Sequence, residues 1–151
     1  MQRHCLAAAE AAQVWRLQQA ACRVEAGVIG VERFPPLDET EADLRAAEEN
    51  FLLAYEHGTL VGTLSGVAQE GEFLITRVLV HPAHMRRGIA RHLLHSLLSS
   101  LPEQVTRVTT AQANFPALAL YRSFGFERAT DWLSVEGIPL VALRRIPAAM
   151  R

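Results

Sequence analysis

The chain reads as an α/β (α+β) protein: a single domain in which about four helices cover a mixed, mostly antiparallel sheet of six or seven strands. Three observations predict this. Segments with a helical apolar period alternate with segments of strand period. Three strand-like runs between residues 51 and 80 are joined by turns too short for anything but antiparallel neighbours. One whole helix then separates the strand ending at Val80 from the next strand, and a right-handed crossover of that kind sets two strands parallel. At 151 residues, with 50% apolar and 21% charged composition, the chain has the size and balance of one globular domain able to bury about two thirds of its unfolded surface. No internal repeat or linker divides it.

The elements follow in order. Residues 7–24 have Val14, Leu17, Ala21 and Val24 on one face with Trp15 beside it, which predicts a helix. Residues 25–39 contain Gly27, Gly30, Pro35 and Pro36 and read as a loop. Thr40 opens a Thr-Glu-Ala-Asp capping pattern for a short helix ending near Asn50. Strands at 51–56 and 59–68 flank the His57-Gly58 turn, and a strand at 73–80 follows the turn at 69–71. The stripe of Ala90, Leu93, Leu94, Leu97, Leu98 and Leu101 predicts a helix over 87–101, stopped by Pro102. A strand at 105–111 precedes a helix capped by Asn114, with Pro116 in its first turn and Gly125 at its end. A closing hairpin, 126–135 and 138–145, turns at Glu136-Gly137.

Charge is informative through its placement. Fifteen basic and sixteen acidic residues nearly cancel, and no nucleic-acid motif or broad basic face appears, so a nucleic-acid partner is not expected. Asp38, Glu39, Glu41, Asp43, Glu48 and Glu49 crowd one segment, which is either a solvated helix start or a feature that favours a cationic substrate. The apolar run after Leu6 is alanine-rich and broken by Glu10, Gln13 and Arg16, far short of a membrane span or a signal peptide, so no membrane association is expected. Cys5 and Cys22 have no metal or CxxC spacing, which reads as reduced thiols in a cytoplasmic protein. His92 and His95 share the polar face of a helix at i and i+3, but no third ligand accompanies them and no metal is expected.

Residues 76–94 carry the strongest chemical signal. An apolar strand runs through a basic glycine turn straight into a helix, bringing unpaired backbone N–H groups and the positive end of a helix dipole to one point. Arg86, Arg87 and Arg91 add full charges there. Such a point binds phosphate.

Two motifs specify the kind of phosphate. Val80-His81-Pro82 followed by Met85-Arg86-Arg87-Gly88-Ile89-Ala90 matches the (Arg/Gln)-x-x-Gly-x-(Gly/Ala) turn, and Asn114, Ala117, Tyr121, Gly125 and Phe126 match an Asn-x-x-Ala-x-x-x-Tyr-x-x-x-Gly-Phe helix. With both motifs in order over about residues 40–145, the chain resembles the GNAT superfamily of acetyl-CoA-dependent N-acetyltransferases. The resemblance implies a GNAT-like fold and acetyl-CoA as cosubstrate, without metal. It implies that Arg86, Arg87, Gly88, Ile89, Ala90 and Arg91, with Met85 at the motif's first position, cradle the pyrophosphate. It further implies that the strand backbone at Val78, Leu79 and Val80 lines the pantetheine arm, that the Val80 N–H faces the thioester oxygen, and that Asn114 bonds a pantetheine amide. Tyr121 would protonate the departing thiolate, whose acid has a pKa of about 8.5.

Three positions depart from the family pattern. Met85 replaces the motif's Arg or Gln and removes one side-chain contact to the pyrophosphate. Only Met1 to Leu6 precede the first helix, so the family's opening strand is short or missing. Leu74 occupies the place of the family's acidic base. An alkylammonium of pKa about 10 needs its proton removed at pH 7, and Glu72, Thr76, His81 and Glu56 lie in the right region by topology. Glu72 is expected to share a strand face with Leu74 and Thr76. Neither cysteine is expected in the cofactor cleft, which favours direct attack of a primary amine, on a small molecule or a peptide, over a covalent relay. The alternative is a noncatalytic acyl-CoA-binding or regulatory module. The oligomeric state stays open, a homodimer formed through the 126–145 hairpin being one outcome.

Overall fold

In the computed structural model, which describes residues 5–151, six strands form one sheet in the order β1-β2-β3-β4-β6-β5. The strands are β1 (Asn50–Glu56), β2 (Thr59–Gln69), β3 (Glu72–Val80), β4 (Thr106–Ala111), β5 (Glu127–Leu133) and β6 (Pro139–Arg145). The helices are α1 (Ala8–Ile29), α2 (Glu41–Ala46), α3 (Ile89–Ser99) and α4 (Phe115–Ser123). Every strand pair is antiparallel except β3 and β4, which the crossover through α3 sets parallel. Met1 to His4, most of the stretch that would carry an opening strand, lie outside the described residues.

The sheet is covered on both faces, and each face has its own apolar cluster. Leu93, Leu94 and Leu97 of α3 and Leu118 and Tyr121 of α4 pack with Leu64, Phe73, Ile75, Val108, Val141 and Leu143. On the other face Ala11, Val14, Leu17 and Cys22 of α1 pack with Leu44 of α2, Phe51, Leu60 and Leu79. Val24, expected on the buried stripe of α1, is 38% exposed. The stripe drifts around the helix instead, through Gln18, Cys22 and Ala26.

Two helix ends differ from expectation. Helix α1 passes through Gly27 and stops at Gly30, whose left-handed backbone (φ 73°) closes the helix onto the Ala26 carbonyl. A mid-helix glycine costs about 1 kcal/mol against alanine, but only Val28 and Ile29 follow Gly27 in the helix, and the Gly30 cap closes its last turn. Helix α2 ends at Ala46, because the chain must extend by Asn50 to pair with Gly66. Its start is as expected: the Asp43 N–H donates to Thr40 Oγ1 at 3.1 Å and the Thr40 N–H to Asp43 Oδ2 at 2.8 Å.

The feature that positions the site is an irregularity in β3. Ser65 pairs with Arg77 and its neighbour Gly66 with Ile75, so Thr76 is an extra, unpaired residue. The bulge turns the side chains of Thr76 and Arg77 to one face and shifts the alternation of everything after it. Gly66 lets the strands close around the bulge: a Cβ there would stand 2.4 Å from the Phe73 ring and 2.5 Å from the Leu74 carbonyl oxygen. Pairing of β3 with β4 runs only from Phe73–Thr106 to Ile75–Val108, and beyond the bulge the two strands part.

Beside the bulge a polar network pins α1 and the loop before α2 to the sheet. Arg77 donates to Glu39 Oε2 (2.7 Å), Glu49 Oε1 (3.0 Å) and Gln18 Oε1 (3.1 Å). Ser65 and Thr76 both donate to Glu49, and Gln18 Nε2 bonds the Pro36 carbonyl at 2.9 Å. The Arg77 side chain is only 11% exposed, so it neutralises two carboxylates where water does so poorly.

Two stability predictions follow from these contacts. Gly66→Ala drives a Cβ into backbone and should lower the unfolding free energy in urea by about 1–3 kcal/mol. Arg77→Leu strands two partly buried carboxylates and should lower it by about 3 kcal/mol, with part of the loss recovered when Glu39→Gln and Glu49→Gln are added.

Candidate active site

The strand edges that part after Ile75 and Val108 form the walls of a gap at the C-terminal ends of β3 and β4. The His81 N–H donates to the Val61 carbonyl on the β2 side (2.8 Å). By strand alternation the N–H groups of Val80 and Val78 therefore turn the other way, toward the gap. Leu79 faces neither wall: its side chain is buried (7% exposed) under α1. Both of the valines singled out from the sequence thus present backbone to the opening, and Leu79 serves the core.

At one end of this gap lies the basic turn. Gly88 is the N-cap of α3 in a left-handed conformation (φ 77°), and no side chain caps the helix, so its first-turn N–H groups face outward. A Cβ on Gly88 would meet nothing within 4 Å, which leaves open space beside the turn. Arg86 also has a positive φ (63°), rare for a side-chain-bearing residue and common where backbone is shaped around a ligand. Arg87 donates to Glu56 Oε1 (3.2 Å), and His84 lies 3.4 Å from the same carboxylate. Glu56, a candidate base by topology, is thus bound into the turn. Arg91 stacks over Phe124 at 5.4 Å and donates to Ser123 Oγ at 3.3 Å, tying α3 to α4. Met85 is 45% exposed, and Ile89 and Ala90 settle partly into the α3 side. The open space, donors and charge fit a diphosphate.

Helix α4 supplies the other wall. Asn114 accepts from the Ala117 N–H (3.2 Å) as N-cap, and its Nδ2 donates to Glu25 Oε1 at 2.7 Å. Tyr121 is 5% exposed, with its ring 5.6 Å from Phe126. Burial, reinforced by the charge of Glu25, holds its phenol well above the ordinary tyrosine pKa. That sharpens the expectation from sequence: the phenol stays protonated and ready to donate, yet it is a weaker acid than a free tyrosine.

Glu25 is the residue that sequence reading passed over. It belongs to the last turns of α1, in a stretch read as loop because of Gly27. The legible signal was its place on the buried stripe of Gln18, Cys22 and Ala26. Helices α1 and α4 lie on opposite faces of the sheet, and Glu25 meets Asn114 because β3 and β4 have parted between them. Burial raises the Glu25 carboxyl pKa, with the Asn114 hydrogen bond opposing in part. Among the described residues no cation pairs with it.

Several expectations change. Glu72 shares the face of Leu74, but it lies at the far end of β3, bonded to Arg107 and 3.6 Å from Arg144. The Arg107 hydrogen bond lowers its pKa, which makes it an ion-pair partner and not a proton acceptor for the gap. The concavity of about 240 Å³ lined by Gln69, Glu70, Glu72, Phe73, Leu74 and Arg107 lies at that far end as well. Thr76 bonds Ser65 and Glu49, and the His81 imidazole accepts from the Ala83 N–H at 3.1 Å. The acidic segment is largely engaged in the fold, Glu39 and Glu49 by Arg77 and Asp43 by the α2 cap. Cys22 lies nearer the gap than expected, within the field of Glu25, but burial pushes its thiol up to about 12 and keeps it un-ionised. Among the described residues no three His, Cys, Asp or Glu side chains are grouped to hold a metal, and no helix is long and apolar enough to cross a membrane.

Comparison with known proteins agrees with this geometry. Residues 12–126 match the acetyltransferase (GNAT) family. The chain is 32% identical over 125 residues to the N-alpha-acetyltransferase RimI of Mycobacterium tuberculosis, covering 78% of each protein. It is 30% identical over 138 residues to the UPF0157 protein YqkA of Bacillus subtilis, matching 91% of this chain but spanning only 40% of that longer protein. Among solved structures, the fold is similar to the ribosomal-protein-S18-alanine N-acetyltransferase of Escherichia coli (TM-score 0.74, 18% identity, covering 96% and 92% of the two chains). It is likewise similar to the PaiA N-acetyltransferase of Thermoplasma acidophilum, solved in complex with coenzyme A (TM-score 0.75, 12% identity, covering 96% and 98%). With strand order, parted strands, glycine turn and Asn/Tyr helix all in place, the chain belongs to the acetyltransferase (GNAT) family.

Proposed function

We propose that this protein transfers the acetyl group of acetyl-CoA to a primary amine of a small molecule or peptide N-terminus, by direct attack in a ternary complex. The observation that carries the reading is the convergence on one gap of three things: free strand-edge N–H groups, an uncapped basic helix start, and the Asn114 and Tyr121 side chains. Relatives named as N-acetyltransferases support the choice of reaction.

Bound there, acetyl-CoA supplies an activated carbonyl and a thiolate leaving group. The turn from Arg86 to Ala90 holds the diphosphate through backbone donors, which do not depend on the side chain at Met85. The edge of β3 offers its Val78 and Val80 N–H groups to the pantetheine arm and the carbonyl oxygen, where a fixed donor stabilises growing negative charge. Asn114 has one Nδ2 hydrogen left for a pantetheine amide after bonding Glu25. Tyr121 donates to the departing sulfur. Because its phenol is the weaker acid, it acts by hydrogen bonding first and gives up the proton only as the C–S bond breaks. The un-ionised, buried Cys22 has no nucleophile to offer, in keeping with direct attack. A concavity of about 630 Å³, lined by Val31, Glu32, Arg33, Val135, Glu136 and Ile138, follows the end of α1 and has room for the body of the acceptor.

Calorimetry with acetyl-CoA, beside a thiol-release assay over a panel of primary amines, tests the reading. Tyr121→Phe should bind acetyl-CoA like the wild type and lose about 10²-fold or more in kcat. Binding without turnover in the wild type would instead identify a noncatalytic acyl-CoA module.

A further inference from the structure

We propose that Glu25 is the group that receives the acceptor's ammonium and takes its proton, and that it then restores the proton given up by Tyr121. The inference rests on the acetyl-transfer reading above. It is carried by geometry. Glu25 is a partly buried carboxylate that reaches across the parted strands to Asn114 (2.7 Å), and Tyr121 lies two turns further along the same face of α4, where the Glu25 charge opposes its ionisation. The candidate acids on the strands, Glu72 and Glu56, are bound by Arg107 and Arg87, and Glu49 of the acidic segment is bound by Arg77. The described residues give Glu25 no cation, although a buried carboxylate is costly without one. An incoming ammonium is the cation that would fit.

The proton balance closes without any further reactant. One ammonium N–H bond breaks to the Glu25 carboxylate, and the freed lone pair forms the C–N bond at the thioester carbonyl carbon. As the C–S bond breaks, its electron pair goes to sulfur and the Tyr121 O–H proton follows. The Glu25 carboxylic acid returns its proton to the phenolate, and the carboxylate so regenerated takes the second proton from the amide nitrogen and releases it to water. The coupling sets the order: while Glu25 is charged it opposes ionisation of Tyr121, and once Glu25 holds a proton that opposition is gone. The titratable groups facing Glu25 are Cys22 on its own helix and Tyr121 on α4, both held neutral by burial.

Glu25→Gln separates this role from support of Asn114, because glutamine keeps an oxygen to accept the Nδ2 bond. Butylamine, spermidine and an alanine-initiated tripeptide serve as protonated acceptors, and trifluoroethylamine as one largely unprotonated at pH 7. With the best protonated acceptor, kcat/KM should fall about 10²-fold or more in the variant, with far less loss for trifluoroethylamine and coenzyme A affinity unchanged. Wild-type kinetics in the variant, or equal loss with both kinds of amine, would overturn the proposal and leave the acetyl-transfer reading standing. Coenzyme A binding with no turnover of any amine by the wild type would overturn that reading and this proposal together.

Stability gives a readout independent of turnover. The folded pKa of Glu25 lies above its unfolded value of about 4.3, so the folded state holds the extra proton and stability is lost as pH rises through the folded pKa. Glu25→Gln should therefore raise Tm at pH 7, with the gain vanishing below about pH 4. A lower Tm at pH 7 would overturn the premise of an unpaired buried carboxylate.

Discussion

Parallel pairing of β3 with β4 stops after Ile75 and Val108, and most of what is distinctive in this molecule depends on that separation. Thr76 is inserted into β3 without a partner on β2, so the strand bends away while remaining paired with β2 as far as Val80. A sheet interior normally has every backbone group paired, since a buried unpaired N–H costs as much as a lost hydrogen bond. Here one strand edge is left open in the middle of the sheet. That is tolerable where a ligand with amide groups completes the ladder, as the pantetheine arm would in the proposed reaction.

Maintaining the bulge requires support from both sides. Gly66 removes the side chain that would collide with Phe73 and the Leu74 carbonyl. On the α1 face, Arg77 sits immediately after the bulge and binds Glu39, Glu49 and Gln18, so the loop before α2, helix α1 and the bent strand are held as one body. The acidic segment that suggested a cationic substrate does much of its work here. In the proposed reaction the charge that meets an ammonium comes instead from Glu25, one helical stripe further along α1.

Local signals made much of this legible. Turn chemistry at His57-Gly58 and Glu136-Gly137, the leucine stripe of α3 and the Thr40 cap of α2 place elements within a residue or a few of where they lie, because each depends on neighbours in sequence. The Gly88 turn and the Asn114–Tyr121 helix were equally plain. Helix α1 was ended too early because Gly27 reads locally as a breaker, whereas the helix closes on the left-handed Gly30 three residues on. That one error hid Glu25. Glu72 was favoured by strand parity, which says which face a residue takes but not which charges wait there, and Arg107 and Arg144 waited there.

The order of elements, the parallel crossover, the basic glycine turn and the family motifs can all be read from the chain alone, since they are written in spacings of a few residues. The place where β3 and β4 part, the acids that Arg77 neutralises, and the meeting of α1 and α4 through the gap at Glu25 and Asn114 emerge from the assembled fold. These are contacts between residues as many as 89 positions apart. Their existence depends on the packing of whole elements, and no local pattern encodes it.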